Sequence, residues 1–198
     1  MLAADYSDII RKIICSILVG LVIRILDDYI DQDIQYVGKS NYIIEKFEKS
    51  IFPYSILFVT IAAGIHLQYT ITLISSCYIV GMFHDLHMKL PTGLNGYSES
   101  IILVIINIFL FSFKDIVTSL MIIILIQCID DLLDMTWDRK YGYKNYANKF
   151  GKLEIVMISL IITILLIMFD SIKLVIVFSC ALLVNYIIEK EVPKFEIK

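Results

Sequence analysis

Aspartate is the residue type whose spacing in this chain invites a chemical reading. Asp27, Asp28 and Asp31, in the phrase Leu-Asp-Asp-Tyr-Ile-Asp, recur at a constant offset of 103 residues as Asp130, Asp131 and Asp134, in the phrase Ile-Asp-Asp-Leu-Leu-Asp. Asp138 extends the second packet by one more turn. Positions three or four apart share a helix face, so Asp28 with Asp31, Asp27 with Asp31, Asp131 with Asp134, and Asp134 with Asp138 can each point at one spot. Two carboxylates about 5 Å apart at an effective dielectric near 20 repel by roughly 3 kcal/mol, so packets of this kind require something positive between them. Mg²⁺ suits the role, because it is usually held by one or two carboxylates together with substrate phosphates. Two facing packets with Mg²⁺ between them would seat a diphosphate.

The elements that must position these residues are apolar. The chain of 198 residues is 59% hydrophobic, and its mean hydropathy of +0.81 is that of an integral membrane protein. Runs approaching the roughly 20 residues needed to cross a bilayer give seven candidate spans, at 9–28, 50–66, 68–84, 99–113, 116–134, 154–169 and 171–188. Lys114-Asp115 is expected to break the fourth span from the fifth, and Asp170 the sixth from the seventh. The fold class expected is all-α: a polytopic transmembrane bundle forming one domain over 1–198. The first span reads as retained, since no small-residue cleavage site follows it.

Long polar connections at 29–49, 85–98 and 135–153 then fall on one side of the membrane with the C-terminus. Arg11, Lys12, Lys114 and Lys173 fall on the other, leaving 13 of the 17 Lys and Arg residues on the loop side. Positive residues accumulate on the cytosolic side. The expected arrangement is therefore N-terminus outside, with the acid packets and the C-terminus cytosolic. An Asp at the bilayer centre costs about 2.5–3.5 kcal/mol, so the packets belong at water-accessible helix ends or facing a polar cavity.

A net charge of −3 offers no basic face for nucleic acid. Cys15, Cys77, Cys128 and Cys180 stand singly in apolar runs and read as reduced core thiols. His84 and His87 lack a third nitrogen or sulfur ligand nearby and read as interface residues. Tyr29, Tyr78 and Phe83 are candidates for lining an apolar cavity, where an aromatic face attracts a cation. Arg24, one turn before Asp28, has three readings: pairing with the acid packet, contact with diphosphate, or snorkelling outward.

The motifs resemble those of the UbiA superfamily of intramembrane prenyltransferases. The first family motif, Asn-Asp-x-x-Asp-x-x-x-Asp, is similar to Asp27-Asp28-Tyr29-Ile30-Asp31-Gln32-Asp33-Ile34-Gln35, with Asp for Asn at the start and Gln35 for the last Asp. The second, Asp-x-x-Asp-x-x-x-Asp followed by a basic pair and glycines, is matched by Asp131, Asp134, Asp138, Arg139, Lys140 and Gly142, then Ala147 and Gly151. The segment from Leu86 looks like the family's Leu-Lys stretch, with Lys89, Pro91 and Asn95 in place. The resemblance covers residues 20–155. It implies a UbiA-like bundle with a central cavity open to the cytosol and to lipid, although the chain looks to lack the helix before the first motif. It also implies Mg²⁺ held by Asp27, Asp28, Asp31, Asp130, Asp131, Asp134 and Asp138, with Asp28, Asp31, Asp131 and Asp134 central to catalysis. Arg139, Lys140, Lys89, Lys39, Arg24 and Tyr29 would contact the substrate.

The expected reaction is Mg²⁺-assisted ionisation of an allylic prenyl diphosphate and transfer of the prenyl chain to an acceptor that the sequence does not identify. Two alternatives stand beside it. One is a membrane terpene cyclase that folds the same cation onto itself. The other is a non-catalytic protein that binds a divalent cation or a lipid diphosphate.

Overall fold

In a computed structural model of the chain, residues 2–30, 50–82 and 87–191 are described. They are mostly helical, and the β structure among them is one isolated bridge between Lys89 and Asn95. The helices are α1 (Leu2–Ile30), α2 (Ile51–Ile65), α3 (Leu67–Met82), α4 (Gly96–Leu110), α5 (Phe113–Leu133), α6 (Met135–Tyr141), α7 (Tyr146–Phe150) and α8 (Lys152–Glu191). Among the described residues two stretches are long and apolar enough to cross a membrane, Phe113–Leu133 and Lys152–Ile188, while α2, α3 and α4 are apolar but shorter.

The expected break at Asp170 is present: its φ of −159° and ψ of 75° interrupt α8. Asp170 Oδ1 accepts the backbone N–H of Lys173 at 3.0 Å, which caps the following arm in the manner of an N-cap carboxylate. The break between the fourth and fifth runs lies earlier than Lys114-Asp115. Phe111 and Ser112 have extended backbone, and Lys114 and Asp115 belong to the first turn of α5. The physical reason is that an acid in a first turn is favoured by the helix dipole, so Asp115 starts a helix and does not stop one. The connection read as a loop at 135–153 is largely helical, since it contains α6 and α7.

The chain divides into two compact units, one of Met1–Ile71 with Ile176–Lys198, the other of Thr72–Val175. In the first, α1 and α2 run antiparallel. The Cys15 thiol donates to the Ala62 carbonyl at 3.3 Å, Asp8 lies 3.7 Å from His66, and Ile25 packs with Ile51 toward the other end. The later arm of α8 follows α1 in parallel, with Cys180 against the Ile13 carbonyl at 3.8 Å and Val184 and Ile188 in the cluster around Ile25.

In the second unit, buried hydroxyls and amides stitch apolar helices together. Ser75 donates to Asn107 Oδ1 at 3.1 Å, and Ser119 to the Thr72 hydroxyl at 3.1 Å. The start of the later arm of α8 is tied to the first turns of α5 by Lys173, which is only 3% exposed. Its Nζ donates to the Asp115 carbonyl at 2.8 Å and to Thr118 Oγ1 at 3.1 Å, with Asp115 Oδ1 4.0 Å away. At the far end of α5, Cys128 packs with Ala147 and Ile155, flanked by Leu132, Met135 and Tyr146. That patch seats α6 and α7 against α5 and the start of α8. The four cysteines are free thiols, three of them buried.

Candidate functional site

The second acid packet is built around a change of helix. α5 ends at Leu133, and Asp134, with φ −91° and ψ 4°, is both its C-cap and the residue before α6. The Asp134 N–H donates to the Asp130 carbonyl and the Asp138 N–H to the Asp134 carbonyl, both at 2.9 Å. Backbone hydrogen bonding therefore continues through the junction although the Asp134 backbone itself is not helical. α6 ends after seven residues at Gly142, whose φ of +78° suits a residue with no Cβ.

Asp131 points inward and is 4% exposed. Its Oδ1 accepts from Gln127 Nε2 at 3.0 Å, one turn back, and its Oδ2 accepts from the Tyr146 backbone N–H at 2.9 Å. A buried carboxylate survives when its oxygens meet donors, and here the chain supplies one to each. The Tyr146 N–H is one of the first donors of α7, so Asp131 also ties that helix start to α5.

Asn145 completes the arrangement. Its extended backbone, φ −144° and ψ 126°, is that of an N-cap, and its Oδ1 accepts from the Asn148 N–H at 2.9 Å. Its Nδ2 donates to the Asp131 carbonyl at 2.7 Å and to Asp138 Oδ2 at 2.8 Å. Asn148 Nδ2 in turn donates to the Met135 carbonyl at 2.8 Å. Asn145, Asn148 and Gln127 were missed as site residues in the sequence reading. The available signal was local: Asn145 precedes Tyr-Ala-Asn-Lys-Phe-Gly, an N-cap residue before a short helix closed by glycine. Burial, with the Asp131 carboxylate as a second cause, pushes the Tyr146 phenol above its ordinary range.

Asp131 and Asp138 are thus brought together through Asn145, whereas no described residue makes a hydrogen bond or ion pair with the Asp134 carboxylate. Asp134 stands at the junction and Asp138 in the first turn of α6, four residues apart. Each oxygen of Asp131 retains further acceptor capacity. Among the described residues no group of three or more His, Cys, Asp or Glu side chains converges. The donor set fits a metal held by one or two carboxylates and completed by substrate oxygens and water, not a closed protein cage.

The other expected site residues divide by location. Asp27, Asp28 and Tyr29 lie on the last turn of α1, with side chains outside the described residues, as are Asp31, Gln35, Lys39, Phe83 and His84. Arg24 is half-buried on α1. Arg139 and Lys140 are exposed on the last turn of α6. Lys89 is exposed and opposite Asn95 across a turn built on Gly93, whose φ is +82°. Tyr78, a candidate for lining a cavity, gives its hydroxyl to Glu99, which also accepts from Thr92 and so clasps that turn to α4. His87 stacks edge-on with Tyr97 at 6.3 Å. Comparison of the chain with protein families, with characterised proteins and with solved structures finds no match.

Proposed function

We propose that this chain is a Mg²⁺-dependent membrane prenyltransferase that ionises an allylic prenyl diphosphate and passes the prenyl chain to an acceptor. The observation that carries the reading is the repeated aspartate packet at the C-terminal end of two apolar helices, α1 and α5. Bound Mg²⁺ would neutralise charge on the departing diphosphate. In the second motif Asp134 and Asp138 would hold it, in the first Asp27, Asp28 and Asp31. Arg139 and Lys140 are the nearest basic residues in sequence for charge-assisted contact with phosphate oxygens, and Lys89, Lys39 and Arg24 would add to them. Asp131 would act from behind, by fixing the start of α7.

A bilayer setting is supported by surface character. In the most apolar 18-residue stretch of 152–188 only 11% is buried, and apolar side chains such as Phe109, Met168 and Leu153 are 85%, 77% and 72% exposed. A water-facing surface rarely presents so continuous an apolar area. The topology we propose has seven spans, with the N-terminus outside and the acid packets and C-terminus cytosolic, because that arrangement places most Lys and Arg inside.

The test is diphosphate release from a panel of prenyl diphosphates by the full chain in lipid nanodiscs, with and without Mg²⁺, beside Asp28→Asn and Asp134→Asn. Mg²⁺-dependent release that both substitutions abolish is the expected result. A folded protein that releases nothing with any chain length overturns the reading, and a cyclic product formed without acceptor replaces it with the cyclase.

A further inference from the structure

The segment from α6 to the start of α8 has two different faces. Its inner face is fixed: Ala147 is 1% exposed and packs with Cys128 and Ile155, while Asn145 and Tyr146 bond back to Asp131. Its outer face is cationic. Arg139, Lys140, Lys144, Lys149 and Lys152 are all exposed, and no acidic residue occurs between Asp138 and Glu154. Beside these charges stand apolar groups that water does not favour: Phe150 is 56% exposed with Lys149 Nζ 5.3 Å from its ring centre, and Leu133 and Leu153 are 73% and 72% exposed.

This face joins the two helices that are long and apolar enough to span a membrane, α5 and α8. Its outer charges therefore lie on the connection between the two apolar ends, Leu133 and Lys152, on one side of the bilayer if those helices cross it. The five charges are distributed over two short helices, the turn at Gly142 and the start of α8. A distributed set suits a surface carrying many anions; a single anion would need them converged. Mixed lysines and exposed aromatic or aliphatic groups are also the chemistry of the headgroup region, where the ammonium reaches phosphate and the stem and ring stay in the acyl boundary.

We propose that the α6–α7 segment is a preorganised docking face for anionic phospholipid headgroups, which gather around it in preference to zwitterionic ones. The proposal rests on α5 and α8 crossing a bilayer, and its test leaves Arg139 and Lys140, which the proposed reaction also uses, unchanged.

Trp137, the single tryptophan of the chain, lies on α6 and is a built-in probe. The full chain is reconstituted into phosphatidylcholine vesicles containing an equal small fraction of either brominated phosphatidylglycerol or brominated phosphatidylcholine, and Trp137 quenching is compared. The expected result is stronger quenching by the anionic lipid, reduced at high salt. The preference should fall on the order of fivefold for each basic residue removed, in Lys144→Gln, Lys149→Gln, Lys152→Gln and their combination. Quenching by brominated phosphatidylcholine and helix content should stay unchanged, which shows that the variants remain folded and inserted. Equal quenching by the two lipids, or a preference that survives the combined variant, overturns the docking face while leaving membrane insertion intact. No quenching by either lipid overturns both. Loss of the preference on adding soluble pyrophosphate at constant ionic strength would mean a single-anion pocket, and also overturns the proposal.

Discussion

Asn145 is the residue whose removal should disturb the second motif most for its size. Replacing it with Ala deletes three hydrogen bonds: the cap to the Asn148 N–H, the bond to the Asp131 carbonyl and the bond to Asp138 Oδ2. An N-cap is worth about 1 kcal/mol. The neutral bond adds about 0.5–1.5 kcal/mol and the bond to a carboxylate about 1.5–3 kcal/mol. Because one side chain makes all three, the terms do not add fully, and a loss of about 3 kcal/mol is expected. For a chain of this length that corresponds to about 6–12 °C in the thermal midpoint. Asn145→Ser separates two roles, since serine caps well but cannot reach both acceptors; it should recover about 1 kcal/mol. The assay is thermal unfolding in detergent micelles followed by circular dichroism. Mn²⁺ binding by electron paramagnetic resonance then reads the metal on the folded Ser variant, where an unsteadied Asp138 should weaken affinity about 10–100-fold. An Asn145→Ala protein within about 0.5 kcal/mol of the parent would refute the network as a structural element. A folded Ser variant that binds Mn²⁺ like the parent would refute its link to the metal.

Two further predictions concern groups outside that network. Lys173→Met keeps the side-chain stem but removes the two charge-assisted bonds to the Asp115 carbonyl and the Thr118 hydroxyl, which keep only the 3.2 Å bond between them, so a destabilisation of about 2–3 kcal/mol is expected in the same unfolding assay; an unchanged midpoint would mean the amine contributes nothing net. Tyr146 has a folded pKa raised above 10.0 by burial, so its contribution is complete below pH 10.0 and is lost as pH rises through the higher folded value. Parent and Tyr146→Phe should therefore keep a constant difference in midpoint up to about pH 9 and converge or cross above pH 10; parallel curves throughout would contradict the shift.

Much of the helical layout was legible because long apolar runs leave few alternatives. The break at Asp170 could be read from a single acid between two such runs. The break near residue 112 was misplaced because Lys114-Asp115 was weighed as charge and not as first-turn chemistry, although an acid three residues after Ser112 is a helix-start signal. The α6–α7 segment was read as a loop because each helix is too short to show periodicity; what makes them helical is tertiary, the seat on Cys128 and Ile155 and the caps from Asn145 and Asp131. Lys173 was counted only as a charge on one side, since nothing in its sequence neighbourhood indicates partners 55 and 58 residues away.

The aspartate packet itself shows where spacing arguments reach their limit. Reading Asp131, Asp134 and Asp138 as one face assumed a continuous helix, but the helix ends at Leu133, and Asp134 stands at the junction. Repulsion among the carboxylates was the reason to require a cation. In the fold, part of that repulsion is offset by donors, two on Asp131 and one on Asp138. The packet is therefore not held together by metal in the way a structural zinc site is. What the donors leave is an asymmetry: one inward carboxylate that organises α7, and one at the helix junction whose oxygens no described residue engages. A metal arriving with a diphosphate needs that second kind of carboxylate, because Mg²⁺ takes most of its shell from water and phosphate. On the proposed reading the same sequence phrase would serve two physical purposes, with the division between them set by Asn145 and Tyr146, which lie outside the phrase.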